Sequence, residues 1–136
     1  WVLIMMSLKL NKLWHMGYIS SREIDGNIIP QKVQNLVIRD YAQRNNMNLL
    51  LSSTEYKMKS SFLMFDSLIN KKKQNFVGII IYSLFMLKDY PNRKKIINKI
   101  KKNKLRIFCA LEEIEIKNNT DISSLKKIFF INLNKK

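Results

Sequence analysis

The run Phe76-Val77-Gly78-Ile79-Ile80-Ile81-Tyr82-Ser83 decides how this chain folds. Its apolar residues are consecutive rather than alternating, and its middle is β-branched. A strand of that kind must bury both faces, which places it at the centre of a largely parallel sheet covered by helices on each side. Shorter segments of similar character flank it. Met16–Ser21 ("MGYISS") and Asn48–Ser53 ("NLLLSS") lie upstream, and Leu105–Leu111 ("LRIFCAL") lies downstream, with Glu112–Ile116 ("EEIEI") extending or bending it.

Helical patterns fill the intervals. Pro30 suits a first helical turn, and Val33, Leu36, Val37 and Tyr41 form a stripe at helical spacing down to about Asn45. Phe62, Phe65, Leu68 and Ile69 define a short helix that "NKKKQN" (70–75) ends. Pro91 opens another, with Ile96, Ile97 and Ile100 inward. Asp121 is an N-cap for a last helix carrying Ile122, Leu125, Ile128 and Phe129. Strand and helix therefore alternate, and the expected fold is α/β: a single three-layer domain with a mainly parallel four- to five-stranded sheet, Rossmann-like in plan.

The 136 residues suffice for one domain with a sizeable core, and the apolar fraction of 46% is that of a globular protein. The opening Trp1–Met6 is apolar but is broken by Lys9 and Lys12, far short of the roughly 20 apolar residues of a membrane span. Residues 1–15 read as an N-terminal extension with no part in the fold, 16–131 as the domain and 132–136 as a basic tail. The single cysteine, Cys109, leaves no internal disulfide, in keeping with a reducing, cytoplasmic setting. The net charge of +15 is mostly lysine. Lys94, Lys95, Lys99, Lys101 and Lys102 lie on the polar side of one expected helix, so they read as a solvated face, and no specific nucleic acid is expected.

In open parallel sheets ligands sit beyond the carboxyl ends of the strands, where strand order reverses. That rule selects Ser20, Ser21 and Arg22 after the first strand and Thr54, Glu55 and Tyr56 after the second. It adds Tyr82 and Ser83 after the third and Glu112 after the fourth, with Gln34 and Asn35 from the first helix. Arg22 offers a planar fork to a phosphate or carboxylate, unless it merely pairs with Glu55 or Glu112. Cys109 reads as a core residue. His15 precedes the expected fold and has no partner at metal-ligand spacing. Gly17, Gly26 and Gly78 are too scattered for a phosphate loop. No cofactor and no metal are implied.

Two resemblances follow. "GYISSRE", a helix with "Q…L…YA…N" and the strand "GIIIYSLFML" resemble the catalytic domain of serine recombinases, the resolvase plan. That family carries Tyr-x-Arg-Val-Ser in its first strand and Asp-Arg-Leu-x-Arg after the central one. Here Ser20 or Ser21 stands near the nucleophile with no arginine before it, and Phe85, Met86, Leu87, Lys88 and Asp89 replace the second motif. Phosphodiester exchange needs several cations around the scissile phosphate, so the resemblance implies the plan without the activity.

The string "GYISSRE…IIPQKVQNLVIRDYA…LLLSSTEYKM…GIIIYSLFML…ALE", over roughly residues 17–116, is similar to the sporadic carbohydrate cluster proteins. These are small bacterial proteins encoded in gene clusters for surface polysaccharide or lipopolysaccharide synthesis. Arg39, Asp40 and Tyr41 belong to this string and read as structural. The resemblance implies a role in carbohydrate biosynthesis and a sugar phosphate or nucleotide sugar as ligand, with no catalytic residue to carry over. The alternatives are a catalytically dead, recombinase-like DNA-binding module, and a scaffold docking on a glycosyltransferase through "SLFML". A homodimer fits the recombinase-like plan.

Overall fold

The structure, a computed structural model, describes residues 14–117 apart from 59–60, 71–75, 89 and 92. The expected last helix at 121–129, the tail at 132–136, most of "NKKKQN" and Asp89 lie outside the described residues. The elements run β1 (Trp14–Ser20), α1 (Gln31–Arg44), β2 (Asn48–Glu55), α2 (Leu63–Asn70), β3 (Gly78–Ile81), a 3-10 turn (Leu84–Leu87), α3 (Arg93–Asn103), β4 (Arg106–Cys109) and β5 (Ile114–Ile116).

The five strands form one sheet in the order β2-β1-β3-β4-β5. The first four are mutually parallel, and β5 returns antiparallel to β4. β3 is the middle strand and is buried along its whole length, as its unbroken apolar run requires. "EEIEI" neither extends nor bends the fourth strand. Glu113 takes a positive φ of 57°, the chain reverses, and Ile114–Ile116 pairs back onto β4.

The segment after β1 lays β2 on one side of it, and the segment after β2 returns to β3 on the other. Right-handed crossovers therefore put α1 on one face of the sheet and α2 and α3 on the opposite face. Ring contacts agree. Tyr41 of α1 and His15 of β1 both pack on Phe108, at centroid distances of 6.1 and 5.6 Å. Tyr18, one residue out of phase with His15, meets Phe65 of α2 at 5.2 Å.

Two expectations need correction. The expected extension 1–15 overlaps the first strand: Trp14 pairs with Asn48, and His15 is buried opposite Leu49. Residues 1–13 lie outside the described residues. The inward stripe of α1 is Gln34, Ile38, Tyr41 and Ala42, so Val33 and Leu36 are exposed. The helix is turned by about one position from the apolar reading because the Gln34 carboxamide binds the end of β1, as described below.

Pairing of β1 with β2 shifts register between His15↔Leu49 and Gly17↔Ser52, a bulge that sets Leu50 and Leu51 against one residue. Gly78 makes room of another kind. A Cβ there would lie 2.9 Å from the Arg106 carbonyl oxygen and 2.9 Å from Cδ2 of His15. The His15 ring thus crosses β3 only because position 78 has no side chain. Gly78→Ala is expected to destabilise the fold by about 1–3 kcal/mol, because the backbone carbonyl cannot swing aside. Urea unfolding would show a lower midpoint at unchanged slope, and an unchanged midpoint would contradict this packing.

Candidate functional site

Strand order reverses between β1 and β3, so the carboxyl ends of these two strands are the place to look. β1 stops at Ser20, which is held from three directions. Its N–H donates to Oε1 of Gln34 at 2.9 Å, its carbonyl accepts from Nε2 of Gln34 at 2.7 Å, and its hydroxyl accepts the Arg22 N–H at 3.1 Å. Nε2 also donates to the Ile29 carbonyl at 2.8 Å. A fully buried amide thereby saturates its donors on backbone and fixes how the chain leaves the sheet.

The chain next makes a tight hairpin. Ile24 and Asn27 exchange N–H···O bonds of 2.8 and 3.1 Å around Asp25 and Gly26. Those two residues take φ values of 52° and 81°, the left-handed pair that a type I′ turn demands. Arg22, just before it, is aimed the other way. Its Nη1 donates to the carbonyls of Met58, at 3.3 Å, and of Ser61, and its guanidinium lies 4.5 Å above the Phe62 ring. It pairs with neither Glu55 nor Glu112.

Glu55 ends β2 almost fully buried. It accepts from the Tyr18 hydroxyl at 2.8 Å and from the backbone N–H groups of Tyr56 (3.2 Å), Met64 (3.0 Å) and Phe65 (3.3 Å). It therefore caps the first turn of α2. Burial first, and then the hydrogen bond to this carboxylate, push the Tyr18 phenol far above its ordinary value of 10.0. Burial also raises Tyr41, Tyr82 and Tyr90 above that value, with the Asp66 carboxylate adding to the effect at Tyr90.

On the other side of the switch point, Ser83 caps the 3-10 turn by accepting the Phe85 N–H at 3.2 Å. Glu112 braces it, accepting from the Ser83 hydroxyl at 2.8 Å and the Leu84 N–H at 2.7 Å. Leu84, Met86 and Leu87 are buried and Phe85 is half-buried, so "SLFML" is not an exposed docking patch. The turn nevertheless presents Phe85, Met86 and Lys88 to a cleft of about 450 Å³. Its opposite wall is Ser20, Ser21, Arg22 and the hairpin from Glu23 to Gly26, with Ile28 and Lys57 at the margins.

Of the residues expected at a ligand site, this cleft gathers Ser20, Ser21 and Arg22. The others have structural positions. Gln34, Glu55, Ser83 and Glu112 are braces, and Tyr82 is buried. Asn35 accepts the Ser52 hydroxyl at 2.7 Å, and Thr54 and Tyr56 are exposed away from the cleft. Sequence reasoning missed the hairpin and Lys57, Phe85, Met86 and Lys88. The Asp25-Gly26 dipeptide between Ile24 and Ile28 is a hairpin signature that would have found the lip.

Among the described residues no three His, Cys, Asp or Glu side chains come together as a metal site would need, and none of the helices is long and apolar enough to cross a membrane. Asp40 accepts from Nε of Arg44 at 2.9 Å, and Arg44 also reaches Glu113 in the β4–β5 turn, a structural position for Asp40.

No family model matches the chain, and no curated protein does either. Solved structures do. A resolvase family site-specific recombinase from Streptococcus pneumoniae superposes with a TM-score of 0.52 at 13% identity, over 88% of this chain and 89% of that one. The N-terminal catalytic domain of TP901-1 integrase gives a TM-score of 0.53 at 15% identity, over 89% and 98%. At these identities the likeness is one of fold: the chain has the resolvase-like α/β architecture. None of the comparisons carries the resemblance to sporadic carbohydrate cluster proteins.

Two outcomes follow from the braces. Glu55→Gln puts an amide donor against backbone donors and is expected to cost about 1–3 kcal/mol in urea unfolding; no loss would mean that the carboxylate does not hold α2. The buried phenols keep protons that an unfolded chain releases above pH 10.0. Stability should therefore be intact below that pH and fall as pH rises further, and Tyr18→Phe should flatten that fall.

Proposed function

We propose that the chain binds a small anionic ligand, a sugar phosphate or nucleotide sugar, in the cleft between the carboxyl ends of β1 and β3, and that it does not exchange phosphodiesters. The observation that carries this reading is the position and lining of the cleft. It opens at the switch point of the sheet, and three cationic side chains, Arg22, Lys57 and Lys88, border it from three separate segments. Two carbonyls and the Phe62 ring fix the Arg22 guanidinium. In this reading the part of the Arg22 fork not engaged by Met58 and Ser61 meets the phosphate or carboxylate. The sugar class is drawn from the carbohydrate-cluster resemblance of the sequence.

Recombination chemistry is disfavoured by the same residues. Counted from Tyr18, the first-strand pattern of recombinases puts Ser20 where its arginine stands and Arg22 where its serine stands. Phe85 and Met86, which replace part of the second motif, line the cleft with apolar surface. A non-catalytic nucleic-acid module is the second reading. It is favoured by the fold and by the shallow groove on α3 lined by Lys94, Lys95, Lys99, Lys101 and Lys102, of which Lys95 lies 3.9 Å from Asp66.

Thermal shift at moderate salt separates the two, with glucose 1-phosphate, UDP-glucose and a short DNA duplex as probes. A sugar ligand at a hundred times its dissociation constant is expected to stabilise the fold by about 2.7 kcal/mol. Lys57→Ala and Lys88→Ala, both at exposed positions, should fold normally and weaken binding several-fold, and Arg22→Ala should abolish it. Sugar binding indifferent to all three substitutions would put the ligand elsewhere. A shift from the duplex alone, persisting at physiological salt, would favour the nucleic-acid module.

A further inference from the structure

The helix α3 carries cations that its own stability does not ask for. Lys94, Lys95, Lys99, Lys101 and Lys102, with Asn98 among them, line a shallow groove along it, while Ile96 and Ile97 are buried in the core. Lys101 and Lys102 sit in the last turn, where the helix dipole favours a positive charge. Lys94 and Lys95 stand in the first turn, where the dipole opposes one, and no acidic residue accompanies them there. Lys95 with Lys99 at i,i+4, and Lys99 with Lys102 at i,i+3, set like charges side by side on the helix surface.

Little in the described chain offsets this charge. Lys95 lies 3.9 Å from Asp66, whereas Lys94, Lys99, Lys101 and Lys102 have no ion-pair partner among the described residues. Three other carboxylates are taken up by arginines, Asp40 and Glu113 by Arg44 and Glu115 by Arg106.

The lining also selects the kind of anion that fits. It holds no aromatic ring on which unstacked bases could lie, so a single strand has nothing to grip with but its phosphates. It holds no apolar side chain either, and both a helix embedded in a membrane surface and the centre of a protein interface need them. What suits lysines alone is a stiff polyanion with its charge along the outside. Residues 94–102 span about 12 Å, a length over which a duplex presents about seven phosphates, both strands counted.

We infer that α3 docks the protein on the phosphate backbone of a nucleic-acid duplex, whatever its sequence, with Lys94, Lys99, Lys101 and Lys102 against the phosphates. This inference rests on the nucleic-acid reading given above, assigns its surface, and needs nothing from the cleft.

Fluorescence anisotropy on the full chain tests it, with two short labelled DNA duplexes of unrelated sequence titrated from about 50 to 200 mM salt. Both duplexes should bind alike, and log K should fall with log salt at a slope of about −3.6, the value for four neutralised phosphates. Lys94→Gln combined with Lys99→Gln should bring the slope to about −1.8 and weaken binding about tenfold or more at low salt, without lowering the melting temperature. Lys32→Gln combined with Arg39→Gln removes the same charge from exposed positions of α1, across the sheet. It should change affinity less than about twofold, because salt screens charges beyond roughly 10 Å. Equal losses from the two double variants would mean that net charge alone holds the duplex, and would overturn the assignment to α3. Losses from Lys57→Ala and Lys88→Ala, with none from the α3 pair, would move the duplex to the cleft and overturn that assignment while the nucleic-acid reading stands. Preference for vesicles of anionic phospholipid over the duplex, or no binding to either at low salt, removes the nucleic-acid reading and this surface with it.

Discussion

A buried carboxylate at the end of β2 is the constraint from which the rest of this end of the molecule follows. Glu55 has lost nearly all contact with water, and an ion in that position is tolerable only when its oxygens are filled. Tyr18 fills them from β1 and three backbone N–H groups fill them from the segment that leads into α2. One side chain thereby joins two neighbouring strands to the helix above them. It also decides where Arg22 can go: with the start of α2 held against the sheet, the carbonyls of Met58 and Ser61 and the ring of Phe62 stand within reach of the guanidinium.

The same device recurs at the other strand ends. Gln34 takes the backbone of Ser20, and Glu112 with Ser83 takes the backbone of the 3-10 turn. The polar side chains nearest the ends of the strands are thus consumed in bracing. Besides Ser20, Ser21 and Arg22 at the end of β1, the cleft is lined by what the braced loops carry outward: hairpin residues, lysines and an apolar turn.

The sheet was legible because burial on both faces leaves an unambiguous mark, a continuous β-branched run, and the middle strand lies where that mark puts it. Helix positions were legible too, but not always their rotation. Val33 and Leu36 look like core in a pattern that scores apolarity alone, whereas Gln34 is interior because its amide matches three backbone groups that only the folded chain assembles. The strand-end rule led to the cleft and mis-sorted the residues around it for the same reason. Whether a Glu or Ser faces a cleft or caps a turn depends on which N–H groups arrive beside it, and no local pattern records that. His15 was misread because its burial depends on Gly78 and Phe108, far along the chain.

The bulge in β2 bears on how the protein behaves in a crowded solution. β2 is an edge strand of the sheet, with no strand paired to its outer side among the described residues; Leu51 there is 86% exposed. A straight apolar edge of this kind is a template on which identical chains stack strand upon strand. The extra residue at Leu50–Leu51 kinks the ladder in mid-strand, so a second chain laid along it meets a broken register. The irregularity that offsets Gly17 from His15 in the pairing is thus of the kind that works against edge-to-edge stacking of identical chains.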